Sequence, residues 1–190
     1  MTRFLSFCLS GLLCLYPLAV YWGVRSFGIR VSALIIACLF IIRLLFIRNS
    51  GALSKPAHAM RLLAAIGLVL TGVSWLTDNP QGFLYYPVMV NLALLIVFLM
   101  SLIRPPSMIE SFARLWEPNL PAAGVRYTRK VTILWVLFFL GNGMTALYTV
   151  LWADFDVWAL YNGLISYLLI GTLLAGEYFF RIYWRKKVSS

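Results

Sequence analysis

Six continuously apolar runs, at about 4–22, 31–47, 62–76, 83–103, 131–151 and 157–180, constrain this chain more than any other feature. Crossing a bilayer takes about 20 residues of helix at 1.5 Å each. The last three runs meet that length. The second and third are short and are expected to extend a few residues into their flanks. Helices are preferred to a barrel because the runs do not alternate with period two. The first run is too long for a signal peptide, holds Tyr16-Pro17, and has no clean small-x-small cleavage site before Arg25. It is read as a helix, with a re-entrant or interfacial segment as the alternative. Of the 190 residues, 62% are hydrophobic and 12% charged, a balance that excludes an ordinary soluble domain. The expected fold is all-α: one polytopic transmembrane helical bundle over residues 1–190 with about six spans.

The net charge of +10 does not point to nucleic acid. The basic residues lie in short groups between apolar runs, with no basic helix and no aromatic RNA-reading motif. Cationic loops held on one side of a membrane explain them better. Segment 48–61 carries Arg48, Lys55 and Arg61; segment 104–130 carries Arg104, Arg114, Arg126, Arg129 and Lys130; the tail carries Arg181, Arg185, Lys186 and Lys187. Loops 77–82 and 152–156 carry acids only: Asp78, then Asp154 and Asp156. The alternation places both termini in the cytoplasm. Arg25 and Arg30 break the pattern, since they would lie outside.

Segment 104–130 has structure of its own. Ser107-Met108-Ile109-Glu110 reads as a capping box after Pro105-Pro106, opening a helix over about 107–117. Met108, Ile109, Phe112, Leu115 and Trp116 share one face, and Glu110 and Arg114 form an i,i+4 pair facing away. The apolar face meets either lipid at the inner interface or the end of the bundle. Arg114 and Trp116, with the cationic rim Arg126, Arg129 and Lys130, are the candidate surface for membrane lipid, pathway enzymes or an acidic acyl-carrier protein.

Polar residues inside the runs are the natural candidates for function, since each is costly in hydrocarbon. Arg43 is close enough to the end of the second run to snorkel to the headgroups. Glu177 has Arg181 four residues on. Asn91, Asn142 and Asn162 seek partners across helix interfaces, either as structural glue or as a polar track. Gly141-Asn142-Gly143 and Tyr161-Asn162-Gly163 offer close helix approach there, and Gly171 with Ala175 forms a weaker small-residue pair. Trp75, Tyr85, Tyr86, Trp152 and Trp158 read as an interfacial aromatic belt. Cys8, Cys14 and Cys38 read as small buried hydrophobes. No catalytic motif, metal-ligand spacing or phosphate-binding loop is found, and no cofactor is expected. One histidine (His58) and six acids leave few general bases.

The stretch 86–181 contains Tyr86-Pro87-Val88-Met89-Val90-Asn91, Arg104-Pro105-Pro106-Ser107-Met108-Ile109-Glu110 and Tyr127-Thr128-Arg129-Lys130-Val131-Thr132. It continues through Trp135, Phe138-Phe139, Asn142-Gly143 and Trp158-Ala159-Leu160-Tyr161-Asn162-Gly163 to Gly176-Glu177-Tyr178. It resembles a family of small bacterial inner-membrane proteins whose genes accompany those for aryl-polyene pigment lipids and fatty-acid-synthase-like pathways. The match covers about half the chain strongly and the N-terminal half by pattern only. Leu120-Pro121, Trp135, Phe138-Phe139, Tyr148, Trp152 and Trp158 carry a more distant similarity to the intracellular septation protein A family. Where that family tends to place a lysine after an aromatic, this chain has Asn162. These resemblances imply a non-catalytic inner-membrane accessory or scaffold for envelope-lipid or pigment assembly. A small transporter or flippase is the second reading.

Overall fold

The computed structural model describes residues 16–49 and 55–189, with side chains over 16–45 and 61–179. Residues 4–15 of the first run, with Cys8 and Cys14, lie outside this set. So do the side chains of Arg48, Lys55, His58, Arg181, Arg185, Lys186 and Lys187.

The described chain is an all-α membrane protein without strands. Its first helical stretch, Tyr16–Asn49, is broken at Gly28, where φ is 78° and ψ 174°. That conformation is essentially restricted to glycine. The chain reverses there. The Tyr16 and Phe40 rings lie 6.0 Å apart, whereas a straight helix would separate these residues by about 36 Å. A Cβ on Gly23 would lie 2.9 Å from Ser32 Oγ, so the two arms touch beside the turn. The arms are α1 (16–27) and α2 (29–49).

After these come α3 (Lys55–Thr77), α4 (Gln81–Leu84), α5 (Tyr86–Ile103), α6 (Met108–Trp116) and α7 (Ala122–Trp152). The last segment comprises α8 (Phe155–Leu160), a π-turn (Tyr161–Ile165) and α9 (Ser166–Ser189). Gln81–Ile103, Ala122–Trp152 and Phe155–Phe179 are long and apolar enough to cross a membrane, and Arg61–Thr77 is a shorter apolar helix. Tyr16–Leu45 also has the length, but the reversal at Gly28 makes it two antiparallel arms rather than one crossing.

Several elements differ from the runs read in the sequence. The fourth run, at 83–103, is two helices offset at Tyr85, because Pro87 has no N–H to continue the ladder. The fifth helix begins at Ala122, not near 131, so Arg126, Arg129 and Lys130 stand on its first turns instead of in a loop. Two residues of the expected aromatic belt belong to the core. Trp158 is fully buried and donates Nε1–H to the Leu84 carbonyl at 3.1 Å, and Tyr86 is buried beside it. Trp75 and Trp152 are exposed. Cys38 is exposed on the apolar surface of α2, not buried; in lipid that position costs a thiol little.

Two apolar clusters hold the bundle together. Tyr16, Val20, Phe40, Phe83, Tyr86 and Trp158 join α1, α2, α4, α5 and α8. Phe98, Val131, Trp135 and Phe139 join α5 to α7. Gly67 lets α3 lie against the Phe40 ring, whose atoms a Cβ would meet at 2.3 Å.

The turns at Gly28, after α3 and after α7 share one end of the bundle, tied by charge. Arg25 Nη2 lies 2.5 Å from Asp156 Oδ1, and Arg30 Nη2 lies 3.5 Å from Asp78 Oδ2. The two arginines that break the sequence pattern are thus matched to acids of the acid-only loops. The opposite end carries α6 and the exposed Arg104, Arg126, Arg129 and Lys130.

Candidate functional site

The three intramembrane asparagines are all buried and all bonded across or along helices. Asn142 Nδ2 donates to Asn91 Oδ1 at 2.9 Å, joining α7 to α5. Asn91 Nδ2 donates in turn to the Pro87 carbonyl, four residues back on its own helix. Asn142 Oδ1 accepts from Tyr161 Oη at 2.9 Å and from Ser166 Oγ at 3.1 Å. Asn162 Nδ2 donates to Thr149 Oγ1 at 3.1 Å and to the Trp158 carbonyl at 3.0 Å.

The π-turn makes this convergence possible. Residues five apart on an α-helix point about 140° away from each other. Here the Ser166 N–H bonds to the Tyr161 carbonyl, an i→i+5 closure that turns both side chains toward one acceptor. Tyr161 and Ser166 therefore reach the same Asn142 oxygen. Sequence reading found the asparagines and missed their two hydroxyl partners; no sequence signal marks a π-turn.

Small residues serve different ends here. A Cβ on Gly143 would stand 3.1 Å from Asn91 Cβ, and one on Gly163 2.9 Å from Leu18, so both permit close helix approach. Gly141 has open space instead. Gly171 and Ala175 are exposed, and a Cβ on Gly171 would meet nothing within 4 Å.

Beside the amide cluster, α7 and α9 diverge and leave a groove of about 810 Å³. Its walls are apolar, with Leu134, Leu137 and Phe138 from α7 and Leu169 and Leu173 from α9. Asn142 and Tyr161 stand at one end. Tyr127, Lys130 and Glu177 stand at the other, where the Tyr127 hydroxyl donates to Glu177 Oε1 at 3.3 Å. Glu177 was expected to pair with Arg181, whose side chain lies outside the described residues. Arg43 is half-buried on α2, away from this groove, and is not brought to the asparagines.

At the basic end, α6 divides its apolar face. Met108 and Ile109 pack against the Phe98–Trp135 cluster, and the Ile109 N–H donates to Thr132 Oγ1 at 3.3 Å. Phe112, Leu115 and Trp116 are exposed, Trp116 at 91%. Packing on the bundle therefore holds for the first half of this face, and the second half is left exposed. Glu110 does not face away: it is buried, accepts from the Ser107 N–H at 3.4 Å, which is its half of the capping box, and from Arg114 Nε at 2.9 Å. Arg114 also donates to the Pro118 carbonyl at 3.0 Å. The carboxylate is needed to close the helix start and to hold the chain after α6, so it turns inward despite its position on the polar face.

No family model matches the chain, and no solved structure matches. A stretch of 56 residues, 28% of this chain, is 38% identical to the inner membrane-spanning protein YciB of Erwinia tasmaniensis. It covers 32% of that relative's length. This partial likeness supports the septation-protein-like resemblance, and together with the apolar helices it supports an inner-membrane location.

Proposed function

We propose that this helical inner-membrane protein is a non-catalytic accessory or scaffold for envelope-lipid or polyene-pigment assembly. Its basic end and both termini face the cytoplasm. The observation that carries this reading is the amide network: Asn91, Asn142 and Asn162 are engaged with one another's helices and act as glue. The resemblance to the pigment-associated family supplies the pathway, and the positive-inside rule supplies the orientation. The surface that meets membrane lipid and soluble pathway proteins, an acyl-carrier protein among them, is the exposed rim Arg126, Arg129 and Lys130 beside Arg114 and Trp116.

In cells lacking the gene, the wild-type chain restores lipid or pigment output. Arg126→Glu/Arg129→Glu inserts normally but restores little and no longer co-purifies pathway proteins. Conversion of a labelled lipid by the purified protein alone would overturn the non-catalytic reading. The groove between α7 and α9 favours the second reading, a small transporter or flippase for a lipid-like molecule. Asn142→Ala protein that is abundant and stable yet inactive would support it against the scaffold.

A further inference from the structure

Two glycines in the groove are not explained by helix packing. Gly141 and Gly176 both line it, and a Cβ on either would meet nothing within 4 Å. Gly143 differs, since Asn91 crowds it. Because both stand in the lining, a side chain at either would take up space in the groove, and glycine there leaves it wider.

The dimensions narrow the choice of occupant. From Tyr127 to Thr145, α7 rises about 27 Å, nearly the ~30 Å of a hydrocarbon core. Along that length the walls are apolar, with Leu134, Leu137 and Phe138 on one side and Leu169 and Leu173 on the other. An extended hydrocarbon chain laid along the groove would meet apolar walls over most of its length. Its basic-end mouth is cationic. Lys130 lines it, is exposed, and has no ion pair among the described residues, and exposed Arg126 lies one turn before it on the same side. Glu177 at the same mouth accepts from Tyr127 and keeps its negative charge, so the two cations outnumber it by one.

We propose that the groove holds a single-chain anionic amphiphile, its apolar chain between α7 and α9 and its acid group at Lys130 and Arg126. This goes beyond the scaffold reading and does not depend on it.

The test uses the full-length protein in an uncharged detergent, with binding followed by native mass spectrometry and thermal shift. The probes are hexadecanoate, hexadecanol and phosphatidylglycerol. Hexadecanoate should bind about tenfold more tightly than hexadecanol, the scale expected of two nearby cations partly offset by one acid, and Lys130→Glu should erase that preference. A Cβ at Gly141 or Gly176 meets no neighbour, so Gly141→Leu and Gly176→Leu should abolish binding while melting at or above the wild-type temperature. Equal binding of acid and alcohol overturns the proposal, as does unchanged binding in the leucine variants. Displacement of hexadecanoate by equimolar phosphatidylglycerol assigns the groove to a two-chain membrane lipid and overturns it. Loss of a dimer in the leucine variants, with no effect on hexadecanoate, assigns it to a second copy and does the same.

Discussion

Asn142 Nδ2 donates to Asn91 Oδ1 across 2.9 Å, and this single contact ties the two helices that form the middle of the bundle. Asn142 serves three partners, whereas Asn91 serves Asn142 and its own helix.

Asn142→Ala should therefore destabilise more than Asn91→Ala. Each interhelical bond in a membrane protein contributes about 0.5–2 kcal/mol, so Asn142→Ala, losing three, should cost about 1.5–6 kcal/mol and Asn91→Ala, losing one, about 0.5–2. Unfolding titrations in mixed micelles measure both. The double variant should cost less than the two singles together, because they share a bond. Strict additivity would show that the Asn91–Asn142 bond contributes nothing.

Three glycines of the α3 region should separate cleanly. A methyl at Gly67 meets the fully buried Phe40 ring, and one at Gly82 meets the Leu70 carbonyl at 2.3 Å. Gly67→Ala and Gly82→Ala should each cost at least about 1–3 kcal/mol by overpacking. Gly72 has nothing within 4 Å, so Gly72→Ala should gain up to about 1 kcal/mol from helix propensity. Equal melting temperatures for all three would contradict the close approach of α2 and α4 to α3.

The divided face of α6 gives opposite expectations for neighbouring apolar residues. Ile109→Ser should lose about 1–3 kcal/mol, since Ile109 packs against the Phe98–Trp135 cluster. Trp116→Ser should change detergent-state stability by less than about 0.5 kcal/mol, because Trp116 touches little of the protein. Its effect should show in liposomes instead, as faster proteolysis between α5 and α7. A large loss of stability in detergent would mean that Trp116 packs on the bundle.

Topology can be read from cysteines placed on a background without the native three. Ser26→Cys and Asp154→Cys, both exposed, should react with an impermeant maleimide from the same side of the membrane. Pro121→Cys should react from the other side only. Labelling of Ser26→Cys and Pro121→Cys from one side would dismantle the hairpin.

The fold was legible where periodicity and length decide, and obscure where sequence-distant groups meet. Apolar runs announced helices because hydrocarbon forces backbone groups to pair internally. Gly28 was one glycine among 13, and nothing local says that it reverses the chain. Arg25 and Arg30 looked anomalous because counting charges by loop ignores their partners in other loops. Glu110 was assigned to the polar face by its angle on the helix wheel, which says nothing of the segment that folds back over it. The asparagines were visible as candidates, but their shared partners depend on a π-turn, and the groove depends on how far α7 and α9 diverge.

The Arg25–Asp156 pair also has a consequence in time. The two residues are 131 positions apart, so at about 5–20 residues per second the acid emerges from the ribosome roughly 7–26 s after the arginine. Arg30 meets its acid, Asp78, much sooner, so through most of that interval the first reversal is held by one of its two ion pairs. The opening hairpin is thus completed by the closing segment: the second of its two ion pairs exists only once the loop ahead of the final helix has been made.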